Sequence, residues 1–181
     1  MIRVNDVVLY GVDGICHVTG MTTRTLGGRP QKYYVLKPVS LESSTIFVPA
    51  DNPALVGRMQ RLLSLDEVLA LIRSIPDEET IWIEDEARRR VLYGEIIDGG
   101  DRREIVRVIK TLYQRDRVMK ESRRKMASAD ERLMKDAEKR LYDEFAHVLS
   151  IEPGQVLPFI FDTIGDMADA LAPQETQGGE P

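Results

Sequence analysis

Few residues of this sequence could act in catalysis, and they do not cluster. The chain has two histidines, His17 and His147, and a single cysteine, Cys16. Acid–base and nucleophilic catalysis need reactive groups that converge, whereas the strand and helix patterns place the two histidines in different parts of the fold. A single cysteine cannot form an internal disulfide and supplies no cysteine cluster for zinc. We therefore expect no catalytic residue, no metal site and no cofactor, and we interpret Cys16 as a buried structural thiol.

Common nucleotide-binding and hydrolytic motifs are missing as well. The sequence contains no Walker A loop, no Rossmann glycine fingerprint and no HExxH pair. Its glycine pairs at 27–28 and 99–100 lack the strand, glycine loop and helix order of a phosphate cradle, so both are predicted to be turns. The sequence therefore argues against an enzyme.

The binding of phosphates is the chemistry that the charge pattern does support. The whole chain is acidic, with a net charge of −5, and residues 151–181 contain acidic groups but no lysine or arginine. Residues 86–125 differ, because they hold 13 basic and 7 acidic groups. A basic zone of this kind can attract phosphates within an acidic protein, since salt screens distant charges over about 10 Å.

The basic residues of this zone fall into three groups. The arginines at 88–90 span most of a helical turn and cannot share one face. Arg103 and Arg107 lie one turn apart on a single basic stripe, and residues 123–125 form a basic cluster in a predicted loop. The candidate phosphate-contact residues are Arg88, Arg89, Arg90, Arg103, Arg107, Arg123, Arg124 and Lys125.

The elements that must position these residues differ between the two ends of the chain. Residues 1–62 are predicted to fold as a small β-barrel of the Tudor or SH3 type, because short β-prone runs alternate with turn residues. The predicted strands cover residues 7–10, 15–26, 32–36 and 45–48, with a short fifth strand within 59–63. The glycines at 27–28 suit a tight hairpin, and closure of the barrel would hide its strand edges.

Residues 63–172 are predicted to form a helical bundle, which gives a segregated α+β fold. Ser64, Asp101 and Ser128 are each followed three positions later by a glutamate, the pattern of a helix N-cap. The predicted helices cover residues 65–75, 81–97, 102–119, 129–149 and 153–171, with an acidic linker at 76–80 and a basic loop at 120–127. Residues 173–181 are predicted to be a disordered tail.

The remaining properties fit a reduced intracellular protein. The N-terminus has no apolar signal-peptide core, and no stretch approaches the roughly 18 to 20 apolar residues of a membrane helix. We therefore predict a cytoplasmic protein that does not bind membranes, and we expect a monomer.

The order of motifs along the chain resembles that of the CarD-like bacterial transcription regulators. In the first part, the resemblance rests on Val4-Asn5-Asp6-Val7-Val8-Leu9-Tyr10, Thr23-Arg24-Thr25-Leu26-Gly27-Gly28, Lys32-Tyr33-Tyr34-Val35-Leu36-Lys37, Val48-Pro49-Ala50-Asp51-Asn52 and Val56-Gly57. In the second part, it rests on Gly99-Gly100-Asp101, Ile105-Val106-Arg107, Leu112-Tyr113-Gln114-Arg115-Asp116 and Ala127-Ser128-Ala129-Asp130-Glu131-Arg132. The resemblance covers about residues 1–150, and its first part is similar to a domain of transcription-repair coupling factors.

The resemblance implies a non-enzymatic accessory protein of RNA polymerase. Its Tudor-like barrel would bind the polymerase β subunit, and the residues implied are Arg24, Leu26, Phe47 and Pro49. Phe47 stands where the family often has a basic residue. The helical part would contact promoter DNA at the upstream edge of the transcription bubble, weakly and with little sequence preference, and so modulate the open complex. Trp82 corresponds to a tryptophan that wedges into the minor groove, so it joins the basic residues above as a DNA-binding residue.

Three alternatives stay open on the sequence alone. Trp82 is either an exposed wedge at the minor groove or a half-buried anchor for the linker, since tryptophan is usually largely buried. The acids at 84–86 and the acidic C-terminal segment keep open an adaptor that binds polymerase without touching DNA. RNA binding by the barrel would need exposed aromatics among basic residues, whereas the adjacent Tyr33 and Tyr34 point to opposite faces of their strand.

Overall fold

A computed structural model of the chain describes residues 2–26, 29–41 and 43–165. The strands within these residues are β1 (Val7–Tyr10), β2 (Ile15–Leu26), β3 (Arg29–Pro38), β4 (Ile46–Pro49) and β5 (Met59–Arg61). The α-helices within them are α1 (Pro53–Val56), α2 (Leu65–Ser74), α3 (Glu86–Gly99), α4 (Arg102–Glu121), α5 (Ser128–Leu149) and α6 (Pro153–Ile164). All strands precede the long helices, so the predicted segregated α+β class is confirmed.

The strands form one antiparallel sheet in the order β4-β3-β2-β1-β5. The β2–β3 ladder is the longest; it runs to Leu26 opposite Arg29 and contains a bulge between Val18 and Gly20. The predicted turn at 27–28 lies outside the described residues, although the two strands that flank it are paired as a hairpin requires.

The sheet is open, which corrects the prediction of a closed barrel. Within the described residues, no ladder joins the edge strands β4 and β5. Pro49 ends β4 and has no N–H to donate, and the short helix α1 then separates β4 from β5 along the chain. The edge at β4 is therefore a place where a further strand can pair.

Most helix ends follow the capping chemistry of the sequence. Ser64 and Glu67 form a capping box at α2, and the Asp101 side chain accepts the backbone N–H of Glu104 at α4. The prediction that Ser128 caps α5 is wrong, because Ser128 is the first residue of that helix and follows an alanine N-cap without a side-chain hydrogen bond.

Two predicted helices differ in extent from those of the structure. The helix predicted from Ile81 begins at Glu86, where the Asp85 side chain accepts the backbone N–H of Arg88 as an N-cap. Helix α6, predicted to reach residue 171, ends at Ile164 before a glycine of positive φ. The predicted tail at 173–181 lies outside the described residues. Among the described helices, none combines the length and the apolar character needed to cross a membrane.

Two hydrophobic clusters stabilise the fold by removing apolar surface from water. The smaller one lies in the sheet, and its buried members are Val8, Cys16, Val18, Leu36, Val48 and Met59. The larger one joins α2 through α6, and its most deeply buried members include Tyr93, Leu112, Phe145 and Ile160. We call residues 63–165 the helical region, because this second cluster is confined to them.

Candidate nucleic-acid interface around Trp82

Trp82 lies on an irregular segment between α2 and α3, which we call the strap (residues 75–85). The strap contains a 3₁₀ turn at its start and is otherwise neither helix nor strand. Buried backbone groups in such a segment still need hydrogen-bond partners. Side chains of α3 and α4 supply them, so these two helices determine where Trp82 lies.

Lys110 on α4 holds the start of the strap. Its ammonium group donates to the carbonyls of Ile75 (3.1 Å), Pro76 (2.7 Å) and Glu78 (2.7 Å). Burial lowers the pKa of Lys110, and the nearby Asp77 and Glu78 carboxylates oppose that shift. The side chain thus acts as a cationic cap at the carbonyl end of the 3₁₀ turn.

The residue before Trp82 is fixed at both of its backbone polar atoms. The Ile81 N–H donates to Thr111 Oγ1 (2.9 Å), and the Tyr93 hydroxyl donates to the Ile81 carbonyl (2.6 Å). Burial raises the pKa of Tyr93 to about 12, so the hydroxyl keeps its donor proton at neutral pH. The position of Trp82 therefore depends on one side chain from α3 and one from α4.

Arg89 fastens the strap from its other end. Its guanidinium group makes two hydrogen bonds to the Asp130 carboxylate on α5 (2.9 and 2.8 Å) and donates to the Ile83 carbonyl (2.6 Å). Arg89 is only 4% exposed, and the hydrogen bond with Asp130 raises the pKa of its guanidinium group. The structure thus places Arg89 in a buried ion pair that holds the strap, and a phosphate could reach this guanidinium group only if the pair opened.

The Trp82 ring is half-buried and lies against two guanidinium groups. The guanidinium carbons of Arg89 and Arg115 lie 4.2 Å and 4.5 Å from the ring centroid, within cation–π range. The indole packs against the helical cluster, and its buried Nε1–H has no hydrogen-bond acceptor among the described residues. This partial burial against the helical cluster has the form of the half-buried anchor, and the part of the ring that stays exposed has the form of the wedge, so both alternatives from the sequence stay open.

A surface depression of about 230 Å³ adjoins the Trp82 ring. Its lining combines hydroxyl, amide, guanidinium, aromatic and aliphatic groups, from Thr80, Trp82, Thr111, Gln114, Arg115 and Val118. None of these six side chains is acidic, so the depression itself does not repel a phosphate.

Arg103 and Arg107, two of the predicted DNA contacts, reach the strap instead of projecting freely. Arg103 pairs with the Glu78 carboxylate (2.6 Å), and Arg107 pairs with Glu104 (2.8 Å) and donates to the Glu79 carbonyl (3.2 Å). The Arg103 side chain nevertheless remains 70% exposed. The predicted basic stripe therefore lies along the strap, and its charge is largely offset by glutamates.

The two other arginines at the start of α3 remain exposed. Arg88 and Arg90 lie on either side of the buried Arg89 in the first turns of the helix. The acids at 84–86 are exposed beside them. The Asp85 carboxylate is engaged at the helix N-terminus, where it accepts the Arg88 N–H (2.6 Å), so the local helix dipole compensates part of this acidic charge.

The basic cluster at 123–125 follows the C-terminal end of α4, the helix whose Arg115 contacts Trp82. The Arg124 N–H donates to the Met119 carbonyl in the last turn of α4 (2.7 Å), and the adjacent Val118 lines the depression beside Trp82. All three side chains of the cluster are exposed. The C-terminal half of α4 thus connects the depression beside Trp82 to the basic cluster along the chain.

Sequence reasoning missed the contact between Arg115 and Trp82. Arg115 belongs to the basic zone, and it shares one face of α4 with Thr111 and Val118. That spacing does not show that the strap lies against this face. That i, i+4, i+7 series was the available signal. It identifies the Trp82 face of α4 only after the strap is known to cross the helix.

The residues predicted to bind polymerase lie toward the β4 side of the sheet. Arg24 is exposed on β2, and its guanidinium carbon lies 3.5 Å from the centroid of the partly buried Phe47 ring on β4. Pro49 ends β4 opposite Tyr33 of β3. Leu26 ends β2, and its side chain lies outside the described part of the chain. Phe47 therefore supports Arg24 by stacking instead of adding a second charge.

The described residues contain no cluster of three or more histidine, cysteine, aspartate or glutamate side chains that could hold a metal ion. Cys16 is fully buried in the sheet. Burial raises the pKa of its thiol to about 11, so the thiol is neutral at physiological pH, as expected of a structural cysteine.

Two protein-family models match the chain in tandem. The model described as the CarD-like/TRCF RID domain matches residues 2–63, which include all five strands. The model described as CarD, C-terminal domain matches residues 67–160, which include the strap and end within α6. The two matches together cover most of the chain, and only residues 64–66, at the start of α2, separate them.

Proposed function

The chain belongs to the CarD-like family, and on that premise we propose that it regulates transcription by joining RNA polymerase to promoter DNA. Membership makes the chain an RNA polymerase-interacting transcription regulator, in a family of regulators and not of known enzymes. The proposal adds that the sheet binds the polymerase β subunit. It also adds that the strap end of the helical region contacts DNA at the upstream edge of the bubble and modulates open-complex stability. We propose residues 1–62 and 63–172 as the two functional units.

The observation that carries the DNA part is the surroundings of Trp82. A half-buried aromatic ring lies beside an acid-free depression, and exposed basic residues occur in the first turns of α3 and in the loop after α4. An apolar ring can wedge between base steps while nearby arginines and lysines hold the phosphates. The proposed DNA-contact residues are Trp82, Arg88, Arg90, Arg123, Arg124 and Lys125.

The other predicted contacts have a supporting role in this proposal. The guanidinium groups of Arg89, Arg103 and Arg107 are already paired with carboxylates, and that of Arg89 also donates to a strap carbonyl. Few basic groups are then left to face the duplex. DNA binding should therefore be weak, tolerant of sequence and dependent on salt, because phosphate contacts position a protein without reading bases.

The DNA part is tested with Trp82→Ala and Trp82→Phe in a transcription assay. Trp82→Ala should shorten the lifetime of open promoter complexes. Trp82→Phe keeps most of the apolar bulk, so it should shorten that lifetime less. A denaturant melt of each variant shows that the assay is run on folded protein. An unchanged lifetime with folded Trp82→Ala would refute a wedge at this position.

The polymerase part is tested by charge reversal on the sheet. Arg24→Glu should weaken binding to the isolated β-subunit lobe in a titration, because the stacked and exposed guanidinium group is suited to pair with a carboxylate. Arg73→Glu, on the exposed surface of α2, makes the same charge change away from the sheet and should leave the affinity unaltered. Equal affinities for both variants would exclude this face as the contact.

The second candidate function, an adaptor that never touches DNA, is favoured by one observation. Three of the predicted basic contacts are paired within the chain, and the acids at 84–86 are exposed next to Trp82. The adaptor predicts that DNA affinity is absent or independent of salt, whereas the proposed function predicts that charge reversal at Arg124 and Lys125 flattens the salt dependence.

A further inference from the structure

Within the described residues, the Trp82 ring is the one group that Arg115 specifically contacts. Its guanidinium carbon lies 4.5 Å from the ring centroid, and the residue is only partly buried. Among the described residues, Arg115 takes part in no hydrogen bond and no ion pair. The nearest acid along α4, Asp116, is paired with Lys120. Stacking on the indole is thus the one specific interaction of this guanidinium group in the described structure.

Arg89, the other guanidinium group on the ring, has the opposite character. It is 4% exposed and is held by two hydrogen bonds to Asp130 and one to the Ile83 carbonyl. Moving it would leave a buried carboxylate and a strap carbonyl without donors, which is costly. Moving Arg115 would break only the cation–π contact, as far as the described part of the chain is concerned.

We propose that Arg115 is a movable cover for Trp82 that transfers its guanidinium group to a DNA phosphate when the ring engages the duplex. This inference rests on the proposed function and adds a residue that the sequence did not single out. A charge-assisted, two-pronged hydrogen bond to phosphate is stronger than a cation–π contact at a partly exposed site. The transfer is therefore favourable once a phosphate comes within reach of the end of α4.

The unpaired indole N–H supports the same exchange. Trp82 Nε1 is buried without an acceptor among the described residues, so the covered position of the ring leaves one polar group unsatisfied. The depression along the ring, lined also by Gln114 and Val118, provides room on the Arg115 side. Departure of Arg115 would uncover the ring face on this side and let the indole shift toward an acceptor for its N–H.

The chain itself supplies the probe for a test, because Trp82 is its only tryptophan. Quenching of the intrinsic fluorescence of the full chain by acrylamide, a neutral quencher, measures access to this ring alone. DNA affinity is measured on the same proteins at several salt concentrations, with a promoter duplex that contains an unpaired segment. The variants are Arg115→Gln and Arg115→Lys, with Arg73→Gln on the exposed surface of α2 as the matched loss of one charge.

The two variants of Arg115 should separate the cover from the phosphate contact. Arg115→Gln should raise the quenching constant and reduce the slope of log K against log salt by about 0.9, the value for one phosphate contact. Arg115→Lys should also raise the quenching constant, because an ammonium group lacks the planar stack, but it should keep the slope. Arg73→Gln should match the unaltered protein in both measurements.

The outcomes that overturn the inference are distinct from failure of the proposed function. If the unaltered protein binds DNA in a salt-dependent way and Arg115→Gln has the same slope, Arg115 does not contact phosphate. If Arg115→Gln leaves the quenching constant unchanged, Arg115 does not cover the ring. If the unaltered protein shows no salt-dependent binding, the proposed DNA contact fails, and the transfer to phosphate fails with it.

Discussion

At the scale of single residues, burial decides what an arginine can do. Arg88 and Arg89 are neighbours in the first turns of α3, yet Arg88 is exposed and Arg89 is buried, with 4% of its surface accessible. Desolvation makes a lone buried charge very unfavourable, so Arg89 requires the Asp130 carboxylate, and Asp130 equally requires Arg89. The ion pair ties α3 to the first turn of α5 and, through the Ile83 carbonyl, to the strap.

The same substitution at the two arginines should therefore have very different effects. Arg89→Gln should lower the free energy of unfolding by about 3 to 5 kcal/mol, because it leaves Asp130 buried without its partner. Arg88→Gln should change it by less than about 0.5 kcal/mol, as surface substitutions usually do. Urea unfolding followed by circular dichroism measures both. Similar values for the two variants would mean that the ion pair with Asp130 does not stabilise the fold.

At the scale of elements, local signals were predictable and long-range ones were not. The capping box of Ser64 and Glu67 is written within four consecutive residues, and α2 begins there as predicted. Ile81 carries the apolar pattern of a helix start, but its N–H and carbonyl are bound by Thr111 and Tyr93. A backbone tied to two other helices cannot join α3, so the strap replaced the predicted first turns.

The residues of the candidate site also fall into those that the sequence could predict and those that it could not. Trp82 and the exposed basic cluster at 123–125 could be selected from residue type and from the family resemblance. The burial of Arg89 and the contact of Arg115 with Trp82 depend on the packing of α3, α4 and α5 around the strap. No spacing along one helix contains that information, since each partner lies on a different element.

Removal of one hydroxyl should loosen the strap without disturbing the core. Tyr93→Phe keeps the buried ring but leaves the Ile81 carbonyl without its donor, which should cost about 1 to 3 kcal/mol of unfolding free energy. It should also raise the access of acrylamide to Trp82, the next residue. Tyr113→Phe is the control, because the Tyr113 hydroxyl makes no hydrogen bond within the described residues. If Trp82 quenches equally in both variants, the Tyr93 hydrogen bond does not position the strap.

The same hydroxyl predicts a pH dependence at alkaline pH. Burial raises the pKa of Tyr93 to about 12, whereas an unfolded tyrosine ionises near about 10. The stabilisation from this group is therefore complete below about pH 10 and is lost as the pH rises toward about 12. Over that range, the unaltered protein should lose more unfolding free energy than Tyr93→Phe, as measured by urea titrations at each pH. Parallel losses would show that Tyr93 is not protected from ionisation.

At the scale of the whole molecule, a buried ion pair joins the sheet to the helical region. Arg102 of α4 makes two hydrogen bonds to Glu144 of α5 (2.9 and 3.0 Å) and also donates to Gln60 Oε1 (2.7 Å) and to the Arg61 carbonyl (2.9 Å) on β5. The same carboxylate accepts the Leu63 N–H (2.9 Å). The Glu144 side chain is only 1% exposed and the Arg102 side chain is 15% exposed, so the carboxylate of this pair is shielded from water.

The junction bears on function because one proposed contact lies in the sheet and the other in the helical region. A sheet bound to polymerase can hold Trp82 at a fixed place on the promoter only if the sheet and the helices keep one orientation. A second bond, from the Arg140 guanidinium group on α5 to the Gly11 carbonyl between β1 and β2 (2.8 Å), restrains the same pair of layers. Hydrogen bonds at two separate points resist rotation better than a single linker does.

Loss of the junction charge should uncouple the two parts. The chain has one cysteine in the sheet and one tryptophan in the helical region, so thiol labelling of Cys16 and fluorescence of Trp82 report the two parts separately. In the unaltered protein, both probes should change at the same urea concentration. Glu144→Gln leaves Arg102 without a counter-charge, at a cost of about 3 to 5 kcal/mol of unfolding free energy. In this variant, the signals of both probes should change at lower urea concentrations than in the unaltered protein, and at concentrations that differ from each other.

Glu138→Gln provides the matched control for this last prediction. Glu138 lies on the same helix and is partly buried, and burial raises its pKa, but it makes no hydrogen bond or ion pair to the sheet within the described residues. In Glu138→Gln, the Cys16 and Trp82 signals should change at the same urea concentration. Burial already disfavours the charged form of Glu138, and the substitution removes no contact between the sheet and the helices. Coincident transitions in Glu144→Gln as well would show that the sheet and the helices are held together by their other contacts. Separated transitions in Glu144→Gln alone would make this carboxylate the group through which the sheet and the Trp82 end of the molecule share their stability.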